Sequence, residues 1–140
     1  MRKKEYRCHK IAEGAASGKA LISSDDICFY MIEPKTGVVI EKGHDLEGQS
    51  VANSVLIFPS GKGSSVVQAD GLYQLQLHGN APKAMVLQHA DTVIVASAIV
   101  IGIPVVSKLP DEFYDELTPD SFVEIDANEK KVVIGRRTND

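Results

Sequence analysis

A chain of 140 residues with 44% hydrophobic and 24% charged side chains has the composition of a folded, soluble domain of ordinary size rather than of a disordered chain. Its formal net charge of -4 argues against a sequence-independent nucleic-acid binder, because counterion release needs a basic face. Cys8 and Cys28 lack Cys-x-x-Cys spacing and are too few to hold a structural zinc or a metal cluster unaided, so both are expected to be buried free thiols.

The basic run Arg2, Lys3, Lys4 is followed by Glu5, Arg7, His9 and Lys10, which interrupt any apolar segment and speak against a signal peptide. The longest apolar run, Val93 to Ile101 broken only by Ser97, is too short to span a bilayer, and a cytoplasmic protein without membrane contact is expected. Tyr6 to Glu13 and Lys19 to Ser23 read as the two strands of a hairpin around the turn-forming run Gly14-Ala15-Ala16-Ser17-Gly18. Ser24-Asp25-Asp26 breaks the pattern before a strand over Ile27 to Ile32. Adjacent side chains on extended backbone point apart, so Asp25 and Asp26 suit a turn or cap better than an acid-base pair.

Pro34-Lys35-Thr36-Gly37 forms a turn with glycine in a late position, and Val38-Val39-Ile40 follows as a short strand. His44-Asp45-Leu46-Glu47-Gly48-Gln49-Ser50 is a polar loop long enough to fold over a site. Sequence neighbours seldom work as a base with its orienting carboxylate, so His44 is expected to stabilise the loop.

The richest stretch is Ser54 to Ser65. Val55 to Phe58 reads as a buried strand, which Pro59, Gly61 and Gly63 end in a loop whose backbone can approach a ligand closely. Ser60, Ser64 and Ser65 supply hydroxyls, and Lys62 can hold a carboxylate or phosphate. Ser64 and Ser65 fall where a helix could start, which would aim backbone N–H groups at the same place. The pattern predicts an anion site; the bland alternative is a solvated turn. It is not a P-loop, because Leu56 stands where the first glycine is needed and Gly63 where Ser or Thr must follow the lysine.

From Val66 to His78 the four-residue spacing of Ala69, Tyr73 and Leu77 predicts a helix ended by Gly79-Asn80, although Leu75-Gln76-Leu77 alternates like a strand. Ala84 to Leu87 reads as a strand, Asp91-Thr92 as the cap of an apolar helix over Val93 to Ile101, and Gly102-Ile103-Pro104-Val105-Val106 as a stop and another strand. His78 and His89 lie at element ends, on the surface. Leu109 to Leu117 predicts a short acidic helix closed by Thr118-Pro119. Phe122 to Ile125 and Lys131 to Ile134 predict a terminal hairpin. The whole reads as a β-rich α+β domain across 1–140, a sheet or barrel covered by the Ser65 to His78 helix, with a C-terminal hairpin near 121–136.

The order Glu33 to Ile40 (Glu-Pro-Lys-Thr-Gly-Val-Val-Ile), His44-Asp45-Leu46-x-Gly48-Gln49-Ser50, Pro59-Ser60-Gly61-Lys62-Gly63-Ser64, Ala81-Pro82-Lys83-Ala84 and Gly102-Ile103-Pro104 resembles the swivel-domain subunit of the aconitase X family. The likeness covers nearly the whole chain and rests on five motifs in the family's order. It implies a swivelling β/β/α domain that is the small subunit of a two-subunit dehydratase. A large catalytic subunit of the aconitase X type would hold the 4Fe-4S cluster, and this chain alone would bind no metal. Archaeal members dehydrate 5-phosphomevalonate to trans-anhydromevalonate 5-phosphate in an isoprenoid route. Others, mainly bacterial, dehydrate cis-3-hydroxy-L-proline.

By resemblance, Ser64 takes the place of the family's catalytic serine, the base that removes a proton next to a carboxylate while the cluster iron acts on the leaving hydroxyl. Ser60, Gly61, Lys62, Gly63 and Ser65 would position the anionic substrate or the loop, with Lys62 and helix N–H groups stabilising the serine alkoxide. The sequence departs from the family pattern at Tyr30 and Met31, where a Gly-Gly pair is common, and at Glu33 in place of Asp. It departs again at Val67-Gln68-Ala69, where archaeal forms continue Gly-Ser-Tyr. Lys62 and the single Ser-Ser step point to phosphomevalonate over hydroxyproline. Another class is a non-catalytic anion-binding swivel module, since fold does not fix function. A chain that docks on a larger subunit is expected to carry an exposed apolar face around this loop.

Overall fold

The apolar runs Val55–Phe58 and Ala84–Leu87 are buried at every position, the signature of parallel strands covered on both faces. The computed structural model describes residues 4–89, 91–119 and 121–136. Its strands are β1 (Lys4–Arg7), β2 (His9–Ala12), β3 (Ala15–Ile22), β4 (Val55–Phe58), β5 (Ala84–Leu87), β6 (Val105–Ser107), β7 (Ser121–Asp126) and β8 (Lys131–Arg136). The helices are α1 (Ser65–Leu77), α2 (Thr92–Ile101) and α3 (Asp111–Glu116).

Strands β3, β4, β5 and β6 pair in parallel, and antiparallel partners extend the sheet on both sides to the order β1-β8-β7-β3-β4-β5-β6-β2. The two outermost strands are consecutive in the chain, with only Cys8 between them. One residue cannot bridge an open sheet of this width, so the edges lie close together and the sheet curls into a nearly closed barrel. The Cys8 N–H donates to the carbonyl of Lys130 at 3.1 Å, and burial pushes the Cys8 thiol up from its ordinary value.

Side-chain alternation along the strands divides the core in two. Val55, Ile57, Ala84, Val86 and Val106 point into the barrel with Val123, Ile125 and Val132. Leu56, Phe58, Met85 and Leu87 point outward, onto Leu72 and Leu75 of α1 and Ile94 and Ala98 of α2. Phe113 of α3 belongs to the inner cluster, edge-on to Tyr6 at 5.6 Å and to Tyr114 at 5.0 Å. Burial raises the Tyr114 phenol to about 12.

The predicted elements from Val55 to Val106, the short acidic helix and the terminal hairpin stand where the sequence places them. The N-terminal hairpin does not form. Its first strand is split at Cys8 into pieces that pair with β8 and β6, while β3 runs through the supposed turn and pairs with β4 and β7. Gly18 is a buried strand residue, where a Cβ would lie 3.0 Å from the carbonyl oxygen of Asn53. The strand expected over Ile27 to Ile32 is instead a single 3-10 turn, Phe29–Met31, between isolated bridges at Ile27 and Ile32. Val38 and Val39 likewise form only isolated bridges. Cys28 is half-buried, not buried.

Helix α1 lies directly on that 3-10 turn. A Cβ on Gly71 would come within 2.5 Å of the Phe29 carbonyl carbon and 2.7 Å of the Tyr30 nitrogen, both backbone atoms that cannot rotate away. In a solvated helix Gly→Ala is stabilising by about 1 kcal/mol. At this contact overpacking wins, and Gly71→Ala is expected to lower unfolding free energy by about 1–3 kcal/mol in urea denaturation.

Candidate functional site

The loop after β4 and the Ile27–Phe29 backbone beneath it are clamped from three sides. Ile27 N–H donates to the Ser60 carbonyl at 3.0 Å and the Lys62 N–H returns to the Ile27 carbonyl at 3.1 Å, forming a short parallel bridge through Gly61. The Gly61 N–H donates to Asp91 Oδ2 at 3.1 Å, while Asp91 Oδ1 caps α2 by accepting from Val93 and Ile94 at 2.9 and 3.3 Å. Gln68, 1% exposed in the first turn of α1, donates from Nε2 to the Ile27 carbonyl at 3.0 Å and accepts the Phe29 N–H on Oε1 at 2.7 Å.

These clamps explain the two glycines. A Cβ on Gly61 would stand 2.6 Å from Gln68 Nε2 and 2.7 Å from Asp91 Oδ2, so a larger residue there must displace the side chains that hold the loop. Gly63 has φ of 111°, and its Cβ position faces Val67 Cγ2 at 3.1 Å and Cys28 Sγ at 3.3 Å. The half-buried Cys28 thiol therefore sits under the turn that delivers Ser64.

Ser64 is the N-cap of α1, with extended backbone and Oγ accepting from the Val67 N–H at 3.4 Å. Its hydroxyl thus lies at the positive end of the helix dipole. The N–H groups of Ser65 and Val66 belong to the first helical turn, which has no intrahelical acceptors for them. Ser64 and Ser65 are exposed and Ser60 is half-buried with its carbonyl turned into the scaffold. All six predicted residues, Ser60 to Ser65, are on this one surface turn.

Lys62 is not the free cation that the sequence suggests. Its ammonium is paired with the Glu41 carboxylate. The hydrogen bond to Glu41 raises the Lys62 ammonium above its ordinary value, with the charges of Glu41 and Asp25 adding in the same direction and partial desolvation opposing. Sequence reading missed Glu41, Gln68 and the second role of Asp91. The available signal for Glu41 was its place at the entry to the polar loop expected to fold over the site.

That polar loop is stapled down. Buried His44 accepts the Leu46 N–H on Nδ1 at 2.9 Å, which leaves Nε2 protonated to donate to the Asp26 carbonyl at 2.8 Å. Asp25 Oδ2 accepts the Asp45 N–H and Asp45 Oδ2 accepts the Ser24 N–H, both at 2.9 Å. His44 and the aspartates are therefore structural, as their sequence context suggests. Among the described residues no three His, Cys, Asp or Glu side chains are placed to hold a metal ion, and no chemical step is assigned to a metal on this chain.

A hydroxyl at a helix N-terminus has the chemistry to meet an anion or to exchange a proton. Here Ser64 and Ser65 lie on an open surface, so nothing on this chain shields them from water. Exposed apolar side chains occur on the segments that flank the turn: Val66 in the first turn of α1 is 74% exposed and Tyr30, on the 3-10 turn under α1, 58%, with Met31 and Ile40, the residue before Glu41, also exposed.

Three likenesses bear on this arrangement. The chain is 38% identical over 131 residues to the phosphomevalonate dehydratase small subunit of Methanothrix thermoacetophila, covering 93% of this chain and 94% of that protein. The corresponding protein of Methanocella arvoryzae is 43% identical, with 87% and 92% covered. In the crystal structure of holo-form aconitase X from Thermococcus kodakaraensis, a chain superposes with a TM-score of 0.86 at 32% identity, over 95% of this chain and 99% of that one. The family model of the aconitase X swivel domain matches residues 5–134, and the chain belongs to the aconitase X swivel-domain family.

Proposed function

We propose that this chain is the small subunit of a cytoplasmic two-subunit hydro-lyase of the aconitase X type that removes water from 5-phosphomevalonate to give trans-anhydromevalonate 5-phosphate. The observation that carries the reading is an open half-site: Ser64 is held at a helix N-terminus by a scaffold clamped on three sides, yet it faces solvent, with exposed apolar side chains on the flanking segments. A larger subunit closing on this face supplies the missing wall, and the reading places the iron-sulfur cluster on that partner. The substrate follows from the names of the relatives, both phosphomevalonate dehydratase small subunits. Among the described residues no helix is long and apolar enough to cross a membrane.

On this chain the work is binding, orientation and proton transfer. Ser64 Oγ takes the proton from the carbon beside the substrate carboxylate. The Val67 N–H already directed at Oγ stabilises negative charge there, as does the helix dipole. Lys62, with Ser60, Ser65 and the backbone of Gly61 and Gly63, positions the substrate's anionic groups or the loop that holds them.

The test is co-expression with the candidate large subunit, anaerobic purification, and an assay of water elimination from 5-phosphomevalonate beside cis-3-hydroxy-L-proline. Turnover of phosphomevalonate by a cluster-containing complex is the expected result. Turnover of hydroxyproline alone changes the substrate. A chain that forms no complex and turns over neither substrate refutes the enzyme reading and leaves the anion-binding module.

A further inference from the structure

We infer that Glu41 is a built-in stand-in for the substrate's anionic group: it occupies Lys62 in the free chain and gives way when the anion binds. The inference deepens the reading above and rests on its assignment of Lys62 to the substrate. Three observations support it. Lys62 Nζ and the Glu41 carboxylate form an ion pair across 21 residues of chain, between the site turn and the polar loop. The lysine end is 45% exposed, so the pair sits where a ligand can reach it. The backbone on both sides is fixed, by the Ile27–Gly61 bridge beneath Lys62 and by the His44–Asp26 and Asp25–Asp45 staples beyond Glu41.

A carboxylate on a rigid loop holds the ammonium extended from the site turn toward the polar loop and prevents it from collapsing onto other carboxylates nearby, of which Asp25 is close enough to act on it. An exposed pair of this kind is weak, so a phosphate dianion with more charge and more acceptor oxygens can replace it. If both anions stayed, they would repel each other at one lysine. Exchange therefore makes the site selective: an anion that cannot outcompete the tethered carboxylate does not gain Lys62. Glu41 is thus a specificity-determining residue that acts through Lys62, without itself touching the reacting atoms.

The direction of one effect decides the matter. A residue that merely supports the loop weakens ligand binding when it is removed, whereas removal of a competitor tightens it. The full chain is titrated with inorganic phosphate at low salt, following the amide signals of Gly61 to Ser65, for the wild type, Glu41→Gln, Lys62→Met and the double variant. Glu41→Gln is expected to bind phosphate about two- to five-fold tighter, and the gain is expected to vanish in the Lys62→Met background. Unchanged or weaker binding by Glu41→Gln overturns the exchange, as does an equal gain without Lys62. The KM of the assembled Lys62→Met enzyme tests the underlying reading separately. A raised KM with no gain in Glu41→Gln keeps Lys62 as the anion holder and removes only the exchange. An unchanged KM removes Lys62 from the substrate, and the inference with it.

Discussion

Replacing Ser64 by alanine in the proposed two-subunit complex is expected to lower turnover by about 10²–10⁴-fold, the range typical of a lost general base, while the complex and the cluster that the proposal assigns to the partner persist. The expectation has to be separated from a fold effect, because Ser64 is also the N-cap of α1 and accepts the Val67 N–H. Loss of a serine cap by alanine substitution costs about 0.5–2 kcal/mol, which alone lowers the melting temperature of the chain. Ser64→Asn resolves the two roles. Asparagine caps as well as serine, so α1 keeps its start, but its amide cannot take a proton at neutral pH. Both variants are therefore expected to lose turnover alike while only Ser64→Ala melts early. Near-normal turnover in Ser64→Asn would show that the serine is a cap and that the base lies elsewhere, on the partner or on this loop.

The parts of the fold that could be read from the sequence are those whose signals are local. Asp91 before an apolar run and Gly102 after it, in left-handed conformation at φ 76°, bracket α2, and both signals act within one helical turn. Buried strands β4 and β5 announce themselves as uninterrupted apolar runs bounded by proline, glycine or polar residues. The N-terminus carries no such signal. β1 and β2 find partners more than 90 residues away, Lys4 opposite Ile134 and His9 opposite Ser107, and the break at Cys8 is required by barrel closure alone. Gly18 looks like a turn residue because glycine is used for turns, but here it is needed for close approach to Asn53.

The site divides in the same way. Its serines, glycines and lysine are contiguous, so their chemistry could be read directly. The groups that hold them come from elsewhere in the chain: Glu41 on Lys62, Asp91 on Gly61, and Ile27 and Gln68 beneath the turn. Gln68 is the instructive case. In the sequence it is one of the positions that depart from the family pattern and has no evident duty. In the structure it ties the first turn of α1 to the backbone on which the site turn is built.

That position gives the largest expected loss of stability. Gln68→Leu keeps the size of the side chain and removes both hydrogen-bonding ends. The Ile27 carbonyl still accepts from the Lys62 N–H, but the Phe29 N–H loses its acceptor in a buried environment. An unpaired buried polar group costs about 1–3 kcal/mol, and with the second bond weakened the total is expected to be about 2–4 kcal/mol in urea denaturation. Gln68→Glu gives the matching control. A carboxylate can accept from Phe29 N–H but cannot donate to the Ile27 carbonyl, and burial disfavours its charge. Its pKa in the folded chain is therefore raised above the unfolded value of about 4.3, so the folded state binds the extra proton. The deficit relative to the wild type should shrink as pH falls toward about 4 and reach its full size once pH exceeds the raised value. The Gln68→Leu deficit should be independent of pH over that range. Equal pH dependence in the two variants would mean that Gln68 stabilises the turn by packing and not by its paired hydrogen bonds. If the bonds are the cause, turnover of the assembled enzyme should fall in Gln68→Leu even well below its melting temperature, because the frame that carries Ser64 is no longer fixed.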